Sequence, residues 1–384
     1  MTTHILTGLH DLISIRSVTR YLMLGAVGTL STNAAAADED LEAQIEMLRP
    51  VTSQPSYTHC NQNVQGPVYE NRSPYKPTTP PPCSINRHGE IETLLGVEMM
   101  HHFVEANGVK FHFVTAGDQS NPAILIVHGL PESWYGFHHQ IAHLSDEYHV
   151  IAIDLPGYGQ SDKRLILDHS WPAYASYVGG LLDEINVADF FLVTHDRGSV
   201  LGENLTAVPG MESRIKRWVR MQQSANEPHG FPRPPHKAFA DPDVGTRLFK
   251  AEGYIDYTYN SAKYVARPLN PSIMARIKFE WHYEGIAEAV VENFKTSNFQ
   301  TEIDARMGTD GKPGLIETMT MPILFMQGEV DPGQKPAEYE ETAEIFPNEA
   351  NEVVILEGAA HFTASEQPEV VSAYIRSFFG GERL

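Results

Sequence analysis

The chain has 384 residues, 42% of them hydrophobic and 10% aromatic, enough to bury a sizeable core and too many for a stapled miniprotein or a disordered polypeptide. With 28 Lys and Arg against 49 Asp and Glu, the formal charge is −21, which repels phosphate backbones and anionic headgroups and argues against nucleic-acid or peripheral-membrane partners. No apolar run reaches the roughly 18 residues of a spanning helix, so stable membrane insertion is not expected, and two cysteines make neither a disulfide scaffold nor a Cys-rich zinc site.

In chain order, residues 1–37 read as a signal peptide. Arg16 and Arg20 precede the apolar run Tyr21–Leu30, and the small residues Ala34–Ala37 follow, the pattern of a cleaved secretory signal. A secreted or periplasmic location is therefore expected. Residues 38–98 form a Pro-rich N-terminal extension with six prolines between Pro67 and Pro82, an extended strap or linker. Export leaves two readings for Cys60 and Cys83. Either they pair across the 22 residues between them, worth about 3 kcal/mol by loop entropy, or they stay free thiols.

From Met99 to the end the texture changes. Val109–Thr115 alternates and is followed by the hairpin-like turn signal Ala116-Gly117-Asp118. Nearly continuous apolar runs then appear at Ala123–Val127, His149–Ile153, Phe190–Val193, Trp218–Met221, Ile323–Met326 and Val353–Leu356. Such runs, bounded by Gly, Pro and Asp, are the mark of strands buried on both faces of a parallel sheet. Helical stretches lie between them at Ser133–Leu144, Tyr174–Ile185 and Pro368–Phe379. The class is α/β, and chemistry is expected at the carboxyl ends of the strands.

Three strand ends carry the argument. Asp196 stands between a strand and a helix, with Thr194, Gly198 and Ser199 around it. Small neighbours let a sharp turn push one side chain out at the strand's end, so the pattern is a nucleophile elbow with a carboxylate in place of serine. Asp331 and His361 follow two later strands, giving the order nucleophile, acid, histidine. A carboxylate is already ionised at neutral pH and suits attack at a saturated carbon bearing a leaving group. A histidine held by an acid then activates water against the resulting ester.

These residues, with His128-Gly-Leu-Pro, Glu132-Ser-Trp, Asp154-Leu-Pro-Gly-Tyr-Gly-Gln-Ser-Asp and His195-Asp-Arg-Gly, resemble the α/β-hydrolase fold superfamily in its epoxide hydrolase and dehalogenase branch. The resemblance covers residues 99–384. It implies a mostly parallel eight-stranded sheet with helices on both faces and a helical lid at about residues 225–316. It also implies that Asp196 is the nucleophile, His361 the base, Asp331 its orienting acid, and the Leu130 and Arg197 amides the oxyanion hole. His128 and Trp134 are expected at the substrate, with Tyr254, Tyr257, Tyr259, Tyr283 and Trp281 from the lid.

The leaving group stays open at this point. Epoxide opening calls for an O–H donor. The lid has tyrosines, but Val290-Val291 stands where the family carries its second one. A haloacid or haloalkane dehalogenase would use the same Asp196–His361 pair. The Asp196-Arg197 elbow is similar to that of haloacetate dehalogenases, but Val200 stands where they carry a further arginine. Epoxide hydrolase is the first choice, dehalogenase the second, and a non-catalytic small-molecule binding protein on the same scaffold the third. No cofactor motif or metal set stands out, the partner expected is a small-molecule substrate, and a homo-oligomer is left open. His139 and His143 read as a solvated helix face, and His101-His102 as strand-edge polarity.

Overall fold

The structure, a computed structural model, describes residues 86–223, 234–251, 253–260, 264–309, 311–334, 336, 339 and 342–381. The segment 1–37 read as a signal peptide, Cys60, Cys83 and all but the end of the Pro-rich extension lie outside the described residues.

A nine-stranded sheet organises the chain, in the order β1-β2-β3-β5-β4-β6-β7-β8-β9. Its strands are β1 (Ile91–Leu94), β2 (Val97–Ala106), β3 (Val109–Ala116), β4 (Ala123–Val127), β5 (His149–Ile153), β6 (Phe190–His195), β7 (Ile215–Met221), β8 (Ile323–Gly328) and β9 (Glu352–Leu356). β4 to β9 are parallel to one another and β1 to β3 antiparallel. The continuous apolar runs are the parallel strands, and in β4 Ile124 to Val127 are at most 1% exposed because helices cover both faces.

The sheet therefore begins earlier than Met99 and has one strand more than the eight expected. β1 is a four-residue edge strand with Ile91 half exposed, too short and too open to leave a periodic signal. The hairpin turn also lies elsewhere. β2 and β3 turn at Asn107-Gly108, both at positive φ (49° and 74°), as a two-residue hairpin loop requires. Gly117 instead lets the chain pass hard against the Tyr148 and Ser145 carbonyls and leave β3 for β4, while β5 takes the place beside β3.

Helices α1 (His138–Leu144), α2 (Trp171–Glu184), α3 (Arg197–Thr206) and the C-terminal α10 (Pro368–Gly380) flank the sheet. Ser170 caps α2, with proline in its first turn. Between β7 and β8 the chain inserts α4 (Pro234–Ala240), α5 (Pro242–Lys250), α6 (Gly253–Asn260), α7 (Pro271–Trp281), α8 (Ile286–Thr296) and α9 (Phe299–Met307).

Two sets of buried charges tie this insertion down. α9 is clamped to α3 by ion pairs of opposite sense, Arg197 with Glu302 at 2.6 Å and Glu203 with Arg306 at 2.8 Å. α7 is tied to the far edge of the sheet, where Arg276 grips both oxygens of Glu92 on β1 at 2.7 and 3.0 Å. From Glu92 a line of polar groups runs inward through His101 (3.4 Å), His112 (2.9 Å) and Asp154 (2.7 Å). His101 is thus not strand-edge polarity. Because β1 extends the sheet, β2 is an interior strand and His101 is wholly buried. His139 and His143 on α1 are both partly exposed, and His143 also bonds the Ser372 hydroxyl at 3.0 Å, joining α1 to α10.

Candidate active site

The β6–α3 turn holds Asp196 at φ 47° and ψ −121°, a conformation that costs a non-glycine residue about 1–3 kcal/mol. The neighbours make the turn feasible. A Cβ on Gly129 would lie 2.5 Å from the Asp196 Cβ, and one on Gly198 would lie 2.5 Å from the His128 and Val127 carbonyl oxygens. The turn is fixed by the Asp196 N–H donating to the Met221 carbonyl (3.0 Å) and the Ser199 N–H donating to the Asp196 carbonyl (2.9 Å).

The ends of β8 and β9 deliver the partners. His361 Nδ1 donates to Asp331 Oδ2 at 2.8 Å, and Asp331 also accepts from the Gly333 N–H (2.8 Å) and Gln327 Nε2 (3.3 Å). This leaves His361 Nε2 facing Asp196, 3.6 Å from Oδ2. The other Asp196 oxygen accepts from the Leu130 N–H at 3.0 Å. Asp196, His361, Asp331 and the Leu130 amide thus converge in one place, with the Asp196 side chain 15% exposed.

The charges support one another. Burial opposes ionisation of Asp196, but His361, His195 and the Leu130 N–H outweigh it and hold the carboxyl well below its usual range. Burial likewise opposes a charged His361, yet Asp331 and Asp196 hold the ring well above its ordinary value.

A profile of the α/β hydrolase fold matches residues 122–368. The chain belongs to the α/β-hydrolase fold family. This α/β hydrolase is 25% identical over 307 residues to epoxide hydrolase 4 of Mus musculus, which covers 73% of this chain and 79% of that one. A solved epoxide hydrolase from Vigna radiata matches with a TM-score of 0.61 at 23% identity, over 74% of this chain and 98% of the other. A haloalkane dehalogenase loop variant from Bradyrhizobium elkanii matches at 0.59 and 21%, over 74% and 97%. The chain is an enzyme, an epoxide hydrolase-like α/β hydrolase.

Other residues picked from the sequence of this α/β hydrolase fall into two groups. Tyr254, Tyr259 and Trp281 gather over the site. Tyr259 stacks on Phe362 beside His361 and donates weakly to the Pro131 carbonyl (3.5 Å), while Trp281 lies 5.7 Å from the Tyr254 ring and 6.2 Å from that of Tyr158. Tyr257 is half-buried on the same helix. The second group is structural. His128 accepts the Leu155 N–H on Nε2 (3.1 Å) and bonds the Gly129 carbonyl through Nδ1 (2.8 Å), so both ring nitrogens serve the backbone. Trp134 is fully buried edge-on to His101 and beneath the Arg276 guanidinium. Tyr283 packs on Phe279 under the Lys163 amine.

The Arg197 side chain is not a carboxylate receptor. Its guanidinium meets Glu302 through both terminal nitrogens (2.9 and 2.6 Å) and lies between the rings of Trp171 and Phe294. Sequence reasoning missed a further pair. Glu132 Oε2 accepts from the Gly129 N–H (2.8 Å) and from His195 Nδ1 (2.6 Å), while His195 Nε2 meets the His361 carbonyl (2.9 Å). Both His195 nitrogens face oxygen atoms. The pair joins the Leu130 strap to the His361 loop.

Gly129→Ala is expected to push Asp196 off its Leu130 bond and lower kcat by about 100-fold, since small misplacements of reacting groups cost that much. Steady-state kinetics on protein of unchanged melting temperature would check it.

Proposed function

We propose that this enzyme hydrolyses epoxides to vicinal diols through a covalent aspartyl ester. The observation that carries the reading is the Asp196 carboxylate, strained outward at the elbow, hydrogen-bonded on one oxygen by Leu130 and faced on the other by His361 Nε2. Asp196 attacks a ring carbon, the C–O bond breaks, the departing oxygen takes a proton from water, and a hydroxy-ester forms. Esterification removes the Asp196 charge, one of the two anions that keep His361 protonated. The ring's proton affinity drops, and its Nε2 proton passes to solvent, which leaves a neutral base for the next step. His361, oriented by Asp331, then takes a proton from water as it attacks the ester carbonyl, and the Leu130 and Arg197 amides stabilise the oxyanion. Collapse returns Asp196 and releases the diol.

The names of the curated relatives support an epoxide over a halide. The occupied Arg197 weighs against a haloacid, whose carboxylate would have to displace Glu302. Export by the N-terminal signal belongs to the same reading.

Intact-mass trapping tests it. His361→Gln should stall the second step, so incubation with styrene oxide should accumulate an adduct equal in mass to the epoxide on the peptide bearing Asp196. A chloroalkane and chloroacetate run in parallel. An adduct from either of these alone would replace the epoxide reading with dehalogenation.

A further inference from the structure

His361 is aimed by Asp331 through its ring, but the ring can point only where its main chain puts it. The histidine lies in the irregular stretch between β9, which ends at Leu356, and the helical turn Thr363–Glu366. Three consecutive amides of this stretch are held from outside it. The Ala360 N–H donates to both oxygens of Glu366 (3.2 Å each) and the Phe362 N–H to its Oε1 (3.1 Å), while the His361 N–H between them donates to the Tyr264 carbonyl (3.1 Å).

Tyr264 and Ala266 belong to the insertion, in the link between α6 and α7. The same carboxylate reaches this link. Its Oε2 accepts the Ala266 N–H at 2.7 Å, shorter than its bonds to Ala360 and Phe362. The Tyr264 ring stands edge-on to the imidazole, with 6.1 Å between centroids. Hydrogen bonds to an ionised acceptor are about twice as strong as neutral ones, so Glu366 is a clasp with two jaws. One closes on the amides beside His361, the other on the insertion. Asp196 is placed instead by bonds to Leu130, Met221 and Ser199.

We propose that Glu366 is a positioning residue, locking the main chain on both sides of His361 to the insertion so that the base is held at the Asp196 ester while the insertion is seated. The assignment rests on the base role of His361 given above. Attack by Asp196 on the epoxide needs none of these bonds, whereas ester hydrolysis needs Nε2 to meet the attacking water. A broken clasp therefore acts on the second half-reaction. The insertion also carries Tyr254, Tyr259 and Trp281 over the site, so one carboxylate makes base placement and the seating of that roof a single event.

Glu366→Gln keeps the side chain's shape and leaves one acceptor oxygen where there were two. Its NH2 must then face either the Ala266 or the Phe362 N–H, donor against donor. With styrene oxide, ester hydrolysis in this variant should slow by about 100-fold, the cost of a misplaced reacting group, while ester formation stays within about twofold of the parent's. Intact mass should show the ester accumulating at steady state. Both rates falling together would mean a packing defect, and hydrolysis at the parent's rate would mean no role; either overturns the proposal. Ala266→Pro, at an exposed position, deletes the insertion's N–H and keeps the Glu366 charge. It should slow hydrolysis selectively too, and a parental hydrolysis rate would overturn the link to the insertion. This variant also gives a readout free of substrate, which serves if Glu366→Gln does not fold. A ring that drifts from Asp331 and Asp196 loses the carboxylates that hold it charged. The His361 imidazole, followed by NMR, should therefore titrate at lower pH in Ala266→Pro than in the parent, and an unmoved titration would overturn the proposal. If His361→Gln traps no epoxide, the epoxide reading fails, and this titration still decides whether the clasp holds His361.

Discussion

Asp196→Ala should abolish turnover, lowering kcat by at least about 10⁴-fold, as loss of a nucleophile does when the other groups have nothing left to act on. No adduct should form in any His361 background. The same position stores backbone strain, at φ 47° on a residue with a Cβ, and this gives the prediction a second edge. Alanine keeps the strain and glycine relieves it, so Asp196→Gly should be more stable than Asp196→Ala by about 1–3 kcal/mol while equally inactive. Urea unfolding of the two variants measures the difference. Residual activity above a thousandth of the parent's would show that another group starts the reaction.

Glu302→Gln should destabilise the fold by about 3 kcal/mol, the cost of leaving a buried charge without its counter-ion. Arg197 is 3% exposed and stacked between two aromatic rings, so water cannot reach it to take over. Glu302 also accepts from Trp171 Nε1 (3.2 Å) and Ser297 Oγ (2.8 Å), bonds that the amide oxygen of glutamine can keep. The change therefore isolates the charge. Released from Glu302, the guanidinium turns its field on Asp196 and dulls the nucleophile, so kcat should fall along with stability. Removing both charges with Arg197→Met and Glu302→Leu should restore most of the stability, because a buried pair is worth little against well-packed apolar groups. A double variant no more stable than Glu302→Gln would mean that the pair carries net stabilisation of its own.

Much of the fold was legible because parallel strands buried on both faces write themselves as short apolar runs. Asp196, Asp331 and His361 could be picked out because each follows such a run, and the structure brings them within 2.8 and 3.6 Å of one another. What was not legible depends on who stands opposite whom. β1 is an edge strand with little burial, and without it His101 reads as surface polarity when it is the middle of a buried polar line. Glu132 and His195 lie 63 residues apart and follow no shared pattern, so their 2.6 Å contact exists only once β4 and β6 are neighbours. The Arg197 side chain was ambiguous for the same reason, as its partner on α9 is 105 residues away.

The grip of Arg276 on Glu92 redraws where this enzyme starts. The family profile begins at residue 122, yet a helix that roofs the reaction chamber is moored to a strand 30 residues upstream of that point. The mooring is the outer end of a line that passes through His101 and His112 to Asp154, whose carboxylate also steadies the Trp134 and Gln160 amides. Roof, sheet edge and catalytic floor are thereby parts of one truss. Trimming the polypeptide to its recognisable core would leave the nucleophile in place and remove the post on which its ceiling stands.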